Sequence, residues 1–223
     1  MLTGNSIVIT GAAGTLGQAA AKKAKEYGAE VIGLDIARSC DSQDLSNYLQ
    51  VDLTDRDAAR ECITALGPLH CLMNIAGGFA MGIGASDPND EQWDWMFRIN
   101  VETARNAIIA ATPGLKANGG GRIVNVGALG ALAGQAGMSA YCCAKSAVMR
   151  LTESLSEELK SDGINVNAVL PSIIDTPPNR DAMPGANFAE WVKPEQLAEV
   201  ICFLASERAS AVHGSLIPVK GLV

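Results

Sequence analysis

The sequence predicts an α/β fold: a doubly wound parallel sheet of seven strands with helices on both faces. Three observations carry this reading. Short apolar runs alternate along the chain with helix-length segments, the pattern of successive strand–helix–strand units. The runs are nearly continuous rather than alternating in polarity, as a strand requires when both its faces are covered. Right-handed crossovers between such strands then leave few topologies open.

Each element follows from its residues. Ile7-Val8-Ile9 makes the first strand, Ser6–Thr10, and glycines then open a helix over 15–27. Val31-Ile32-Gly33-Leu34 makes the second, Glu30–Asp35, which closes on an acid. The third strand spans 48–52, and a helix over 55–66 follows it. The fourth, 71–75, leads into one long helix over 90–111. The fifth, 122–126, precedes a helix over 139–162 with Ser139 as its N-cap. The sixth, 165–170, runs into a segment, 171–191, rich in Pro, Asp and Asn. That segment is too long for an ordinary connection and reads as a lid over a binding site. A helix over 194–205 and a last strand, 215–219, complete the chain. With no repeat, low-complexity stretch or linker, residues 1–223 read as a single domain.

Composition excludes several classes. Hydrophobic residues are 48% of the chain and charged residues 18%, too apolar for disorder. The net charge is −7 with no Lys/Arg-rich run, which speaks against nucleic-acid partners. No apolar run approaches the roughly 20 residues that cross a bilayer, so no membrane segment is expected. The start has no basic leader region, so the expected location is cytoplasmic. The 6 cysteines include no C-x-x-C pair, and with 2 histidines no metal site is expected. The thiols read as reduced.

The first unit carries the clearest chemistry. Gly11, Gly14 and Gly17 lie between a strand and a helix. Glycine lets the backbone turn tightly toward a pyrophosphate, and the helix N-terminus offers free N–H groups. The acid at the end of the second strand, Asp35, is placed to accept hydrogen bonds from an adenosine ribose. Together these are a Rossmann dinucleotide site, with a carboxylate that favours NAD(H) over NADP(H). Arg38 is the dissenting feature, since an arginine there can hold a 2′-phosphate.

Further motifs follow in order: Thr10-Gly11-Ala12-Ala13-Gly14-Thr15-Leu16-Gly17, Val51-Asp52-Leu53, Asn74-Ile75-Ala76-Gly77, Ile99-Asn100-Val101 and Tyr141-Cys142-Cys143-Ala144-Lys145. In this order and spacing they resemble the short-chain dehydrogenase/reductase family, over essentially the full chain. The resemblance implies a nicotinamide dinucleotide held by Gly11, Ala13, Thr15, Leu16, Gly17, Asp35, Asp52, Leu53, Asn74, Ala76, Gly77 and Lys145. In the lid it adds Pro171, Ile173 and Thr176, although Ser172 replaces the glycine usual after the proline. It implies Tyr141, Lys145 and Asn100 as the catalytic set, with Lys145 on the nicotinamide ribose and Asn100 ordering a relay water. It also implies homodimers or homotetramers built through the helices around Ile99, Ile108, Val148 and Leu151.

Hydride transfer to a C=O or C=N group leaves negative charge on the heteroatom, so a positioned acid must give a proton. Tyr141 is that acid. Its ordinary pKa is near ~10. Lys145, one helical turn on, lies on the same face and is expected to lower it. Where the family's catalytic serine stands ahead of the tyrosine, this chain has Ala128. The family's dihydropteridine reductase branch resembles it there, and in Ala76-Gly77-Gly78-Phe79-Ala80-Met81-Gly82. The branch implies Phe79, Ala128, Met183, Phe188 and Trp191 as the substrate surface.

Three functional readings stay open at this point. One is an NAD(H)-dependent oxidoreductase of a dihydropteridine-like conjugated imine. The second is a carbonyl reductase or alcohol dehydrogenase for another small substrate. The third is a dinucleotide-binding protein with little turnover.

Overall fold

The computed structural model describes residues 1–82, 84–88 and 90–223. Seven strands, β1 (Ser6–Thr10), β2 (Glu30–Asp35), β3 (Asn47–Gln50), β4 (Cys71–Asn74), β5 (Gly121–Val126), β6 (Ile164–Pro171) and β7 (Leu216–Val219), form one sheet. The order is β3-β2-β1-β4-β5-β6-β7, and every neighbouring pair is parallel. The chain winds outward from β1 on one side and from β4 on the other. The crevice beyond their carboxyl ends is therefore the switch point where α/β sheets bind ligands.

Strand periodicity divides the core. Ile7 and Ile9 of β1, with Cys71, Met73 and Val124, pack under α1 (Thr15–Glu26) and α7 (Pro194–Leu204). Val8, Leu72 and Ile123, the residues between, pack under α2 (Arg56–Thr64) and α4 (Thr103–Ala117). Small residues Ala20, Ala21 and Ala24 of α1 bring that helix close against α7.

Three expectations need correction. The helix expected over 90–111 is α3 (Asp90–Phe97), a π-helical turn at Arg98–Glu102, and then α4, which runs on to Ala117. Pro113 inside α4 leaves the Ile109 carbonyl unbonded, but Ile109 faces water at 37% exposure, and buried Leu115 holds the last turn down. Ser139 is the first helical residue of α5 (Ser139–Leu159), not its cap. The cap position is Met138, whose side chain packs with the Ala128 cluster, so apolar packing rather than a hydroxyl sets this helix start. The segment over 171–191 is not plain loop: it holds α6 (Pro177–Ala182) and a 3-10 turn at Phe188–Glu190.

Candidate active site

The turn after β1 is pressed against the loop after β4. Gly11 has φ +69°, and a Cβ on it would lie 2.8 Å from the Ala76 nitrogen. A Cβ on Gly17 would lie 2.1 Å from the Gly11 carbonyl oxygen. Both positions need glycine for space, and Gly11 also for its backbone angle. Thr10 Oγ1 accepts the N–H groups of Ile75 and Ala76, each at 3.1 Å, and so ties the two loops together. Gly14 caps α1 with no side-chain hydrogen bond. The N–H groups of Thr15 and Leu16 therefore have no partner among the described residues. Open amides at a positive helix end, on a surface cleared of side chains, fit a pyrophosphate.

One acid closes β2 and another follows β3. Asp35 accepts the Ala13 N–H at 2.9 Å and the Ala37 N–H at 3.0 Å, one on each oxygen. That fixes the carboxylate at the mouth of the turn and leaves lone pairs on both oxygens. Arg38 is exposed and makes no ion pair among the described residues. Asp52 accepts the Thr54 N–H and hydroxyl on one oxygen. The Leu53 carbonyl is held by Asn106 Nδ2 at 3.0 Å.

Asn74 ends β4 beneath the turn. It is buried, and its Nδ2 donates to Asn125 Oδ1 at 3.0 Å, while Asn125 Nδ2 donates to Thr152 Oγ1 at 2.9 Å. This ladder ties β4 to β5 and β5 to α5. The buried Asn74 Oδ1 has no hydrogen-bond partner among the described residues.

Lys145 lies on α5 with Nζ donating to the Val126 carbonyl at 2.9 Å. The same Nζ would lie 3.3 Å from a Cβ on Gly77, so it reaches the loop after β4. Asn100 sits in the π-helical turn, 1% exposed. Its Nδ2 donates to the Gly78 and Met96 carbonyls, each at 3.0 Å, and its Oδ1 accepts the Gly78 N–H at 3.1 Å. The extra residue of a π turn breaks the helical ladder locally, and the Asn100 amide closes it again while pinning the loop. Asn100 is thus structurally committed through its side chain.

Tyr141 is half-buried, and its phenol makes no hydrogen bond among the described residues. Burial pushes its pKa up to about 12, and the neighbouring Cys142 pushes the same way. This corrects the expected lowering by Lys145, whose ammonium is turned to the Val126 carbonyl instead. Burial pulls Lys145 down to about 8. In this state Tyr141 holds its proton at neutral pH and is a donor.

The lysine shift has a stability consequence. Between about 8 and the ordinary 10.5, the unfolded chain binds the Lys145 proton more tightly than the folded one. Stability contributed at this site therefore rises with pH across that window. Urea denaturation through that window should show a steeper rise for the wild type than for Lys145→Met; parallel curves would contradict it.

On the substrate side, the Phe79 ring meets the Tyr141 ring edge to face, centroids 4.8 Å apart at 85°. Ala128 is buried with Ala131, Cys142, Met149 and Leu170, so its methyl group continues an apolar wall. Pro171 ends β6, buried, and Ile173 and Thr176 follow it partly buried. Thr176 caps α6 by accepting the Asn179 N–H. Within the 171–191 segment Asp175 and Arg180 form a two-bond ion pair, and the Arg180 guanidinium lies 4.9 Å from the Phe188 ring centre. Trp191, 4% exposed, packs on the Phe188 ring. Met183 and Phe188 remain partly exposed on the lid.

The model of the family described as short chain dehydrogenase matches residues 5–186. The chain belongs to that family. It is similar to the 3-oxoacyl-[acyl-carrier-protein] reductase of Thermotoga maritima, 29% identical over 241 residues, covering 99% of this chain and 98% of the relative. It is also similar to the cis-4-hydroxycyclohexanecarboxylate dehydrogenase of Sinomonas cyclohexanicum, 31% identical over 234 residues, covering 96% and 94%. Among solved structures, the ligand-free aldohexose dehydrogenase of Thermoplasma acidophilum superposes with a TM-score of 0.88 at 27% identity, covering 99% and 94%. This short chain dehydrogenase is therefore an oxidoreductase of small molecules that binds a nicotinamide dinucleotide. Among its described residues, no helix is long and apolar enough to cross a membrane.

Residue-type reasoning passed over Thr10, Gly78 and Val126 as site components. Thr10 and Gly78 stood inside quoted motifs. Val126 acts through its carbonyl, for which a side-chain pattern holds no signal.

Proposed function

We propose that this chain is an NAD(H)-dependent reductase whose Tyr141 protonates an activated C=N or conjugated C=O group, with a dihydropteridine-like ring as the substrate class. The observation that carries it is the pairing of a protonated Tyr141 with an apolar wall at Ala128. A bound dinucleotide supplies the hydride. Gly11, Ala13, Thr15, Leu16 and Gly17 cradle its pyrophosphate, and Asp35, Asp52 and Leu53 hold its adenosine. Ala76, Gly77, Lys145, Ile173 and Thr176 surround its nicotinamide end. The family serine would give a ketone oxygen a third donor; an already activated conjugated ring needs less polarisation. Lys145 steadies the ribose, and Asn100 keeps the loop after β4 in place.

A second reading, a carbonyl reductase or alcohol dehydrogenase, is favoured by the relatives' names, a 3-oxoacyl reductase and a hydroxycyclohexanecarboxylate dehydrogenase. NADH oxidation screened against quinonoid dihydropterin, a quinone and a panel of aldehydes and ketones decides between them. Turnover of ketones alone would overturn the first reading. No turnover with intact NADH binding would favour the third reading, a dinucleotide-binding protein with little turnover. Assembly as a homodimer or homotetramer is part of the proposal, supported by the exposed Trp93, Trp95 and Ile109 along α3 and α4.

Asp35 sets the cofactor preference. A 2′-phosphate facing its carboxylate should cost at least ~1.4 kcal/mol, a tenfold weaker binding of NADPH than NADH. Fluorescence titration of both checks this, and Asp35→Ala should narrow the gap. Equal affinities in the wild type would contradict it.

A further inference from the structure

The strap after β4 is held more firmly than a loop carrying one substrate contact requires. Gly78 is bonded through both its N–H and its carbonyl to the Asn100 amide. A Cβ on Gly78 would lie 3.3 Å from the Trp95 ring and 3.4 Å from Ile99, so the strap is closely packed just ahead of its next residue. That next residue is Phe79. Its ring, 49% exposed, stands edge-on against the Tyr141 ring.

We propose that Phe79 is a positioning residue that covers one face of Tyr141, fixing the phenol's orientation and keeping it dry. This rests on Tyr141 being the proton donor. A phenol packed under an apolar ring ionises less readily, because the charged form loses hydration and the neutral form does not. The charged groups on α3 and the π turn, which pack against α5, are Asp90, Glu91, Asp94, Arg98 and Glu102, and none is among the causes of the Tyr141 shift. The strap at 77–79 and the turn Leu129–Leu132 carry no titratable residue. On α5 itself, the groups close by are Lys145, turned to Val126, with Cys142 and Cys143.

The test reads tyrosinate absorbance after a rapid pH jump, before unfolding, as the difference between each variant and the same variant carrying Tyr141→Phe. Phe79→Ala should raise the Tyr141 ionisation constant at least tenfold, and Phe79→Leu, which restores bulk, should stay within threefold of the wild type. Phe79 is half exposed on a loop, so these variants should fold. A constant within threefold of wild type in Phe79→Ala would overturn the proposal, as would Phe79→Leu shifting as far as Phe79→Ala. This readout needs no turnover. Failure here leaves the role of Tyr141 as acid standing, whereas unchanged activity in Tyr141→Phe removes that role directly.

Discussion

Tyr141→Phe should lose on the order of 10² to 10⁴-fold in kcat/KM on any carbonyl substrate while dinucleotide affinity is kept. Tyr141 carries the hydroxyl offered for this proton transfer: Asn100 is bonded to Gly78 and Met96, and Ala128 has no hydroxyl. Removing one oxygen leaves the ring packing on Phe79 largely intact, so folding should hold. On a quinonoid substrate the loss should be smaller, since bound water can deliver a proton to an activated nitrogen. Steady-state kinetics with titrated NADH separates the two effects. A variant that reduces ketones at the wild-type rate would remove Tyr141 from the chemistry.

Gly17→Ala should weaken dinucleotide binding by about 10²-fold, the scale at which displacements of about 1 Å matter in preorganised sites. The added methyl would sit 2.1 Å from the Gly11 carbonyl oxygen and 2.8 Å from the Ala12 Cα, both backbone atoms that no rotamer change can clear. The turn has to move, and the open amides of Thr15 and Leu16 move with it. Gly14→Ala is the contrast: its nearest neighbour would be 3.3 Å away, so a far smaller loss is expected. Fluorescence titration of NADH against the two variants checks the pair. Equal affinities would show that the turn is not pressed against itself as described.

Much of this was legible because periodic patterns report burial directly. The apolar runs of β1, β2, β4, β5 and β6 are buried on both faces, and the strands expected at those places lie within a residue of the observed ones. The glycine turn was legible because Gly11 and Gly17 are required by contacts only glycine permits. What escaped was set by tertiary contact. The π turn at Arg98–Glu102 leaves no mark in the local apolar pattern, and the contact found with it, Asn100 to Gly78, spans 22 residues. Ser139 looked like a cap by residue type, yet the packing of Met138 decided the boundary. The Asn74 amide bonds to Asn125, far along the chain, a contact no local pattern shows. The sign of the Tyr141 shift depended on where the Lys145 ammonium turns, which helical spacing alone leaves open.

The most direct measurement compares wild type and Ala128→Ser on a quinonoid dihydropterin and on a simple ketone, with NADH. The serine hydroxyl would stand in the apolar cluster of Ala131, Met149 and Leu170. Against an apolar ring it is left unpaired, at a cost of ~1–3 kcal/mol. Against a ketone, the same hydroxyl gives the developing oxyanion a donor worth about 3 kcal/mol when well aimed. The expected result is therefore a crossed one: the serine leaves pterin reduction unchanged or slower and makes ketone reduction faster. A wild type that already reduces the ketone well, with nothing gained from the serine, would contradict a site built for an activated substrate.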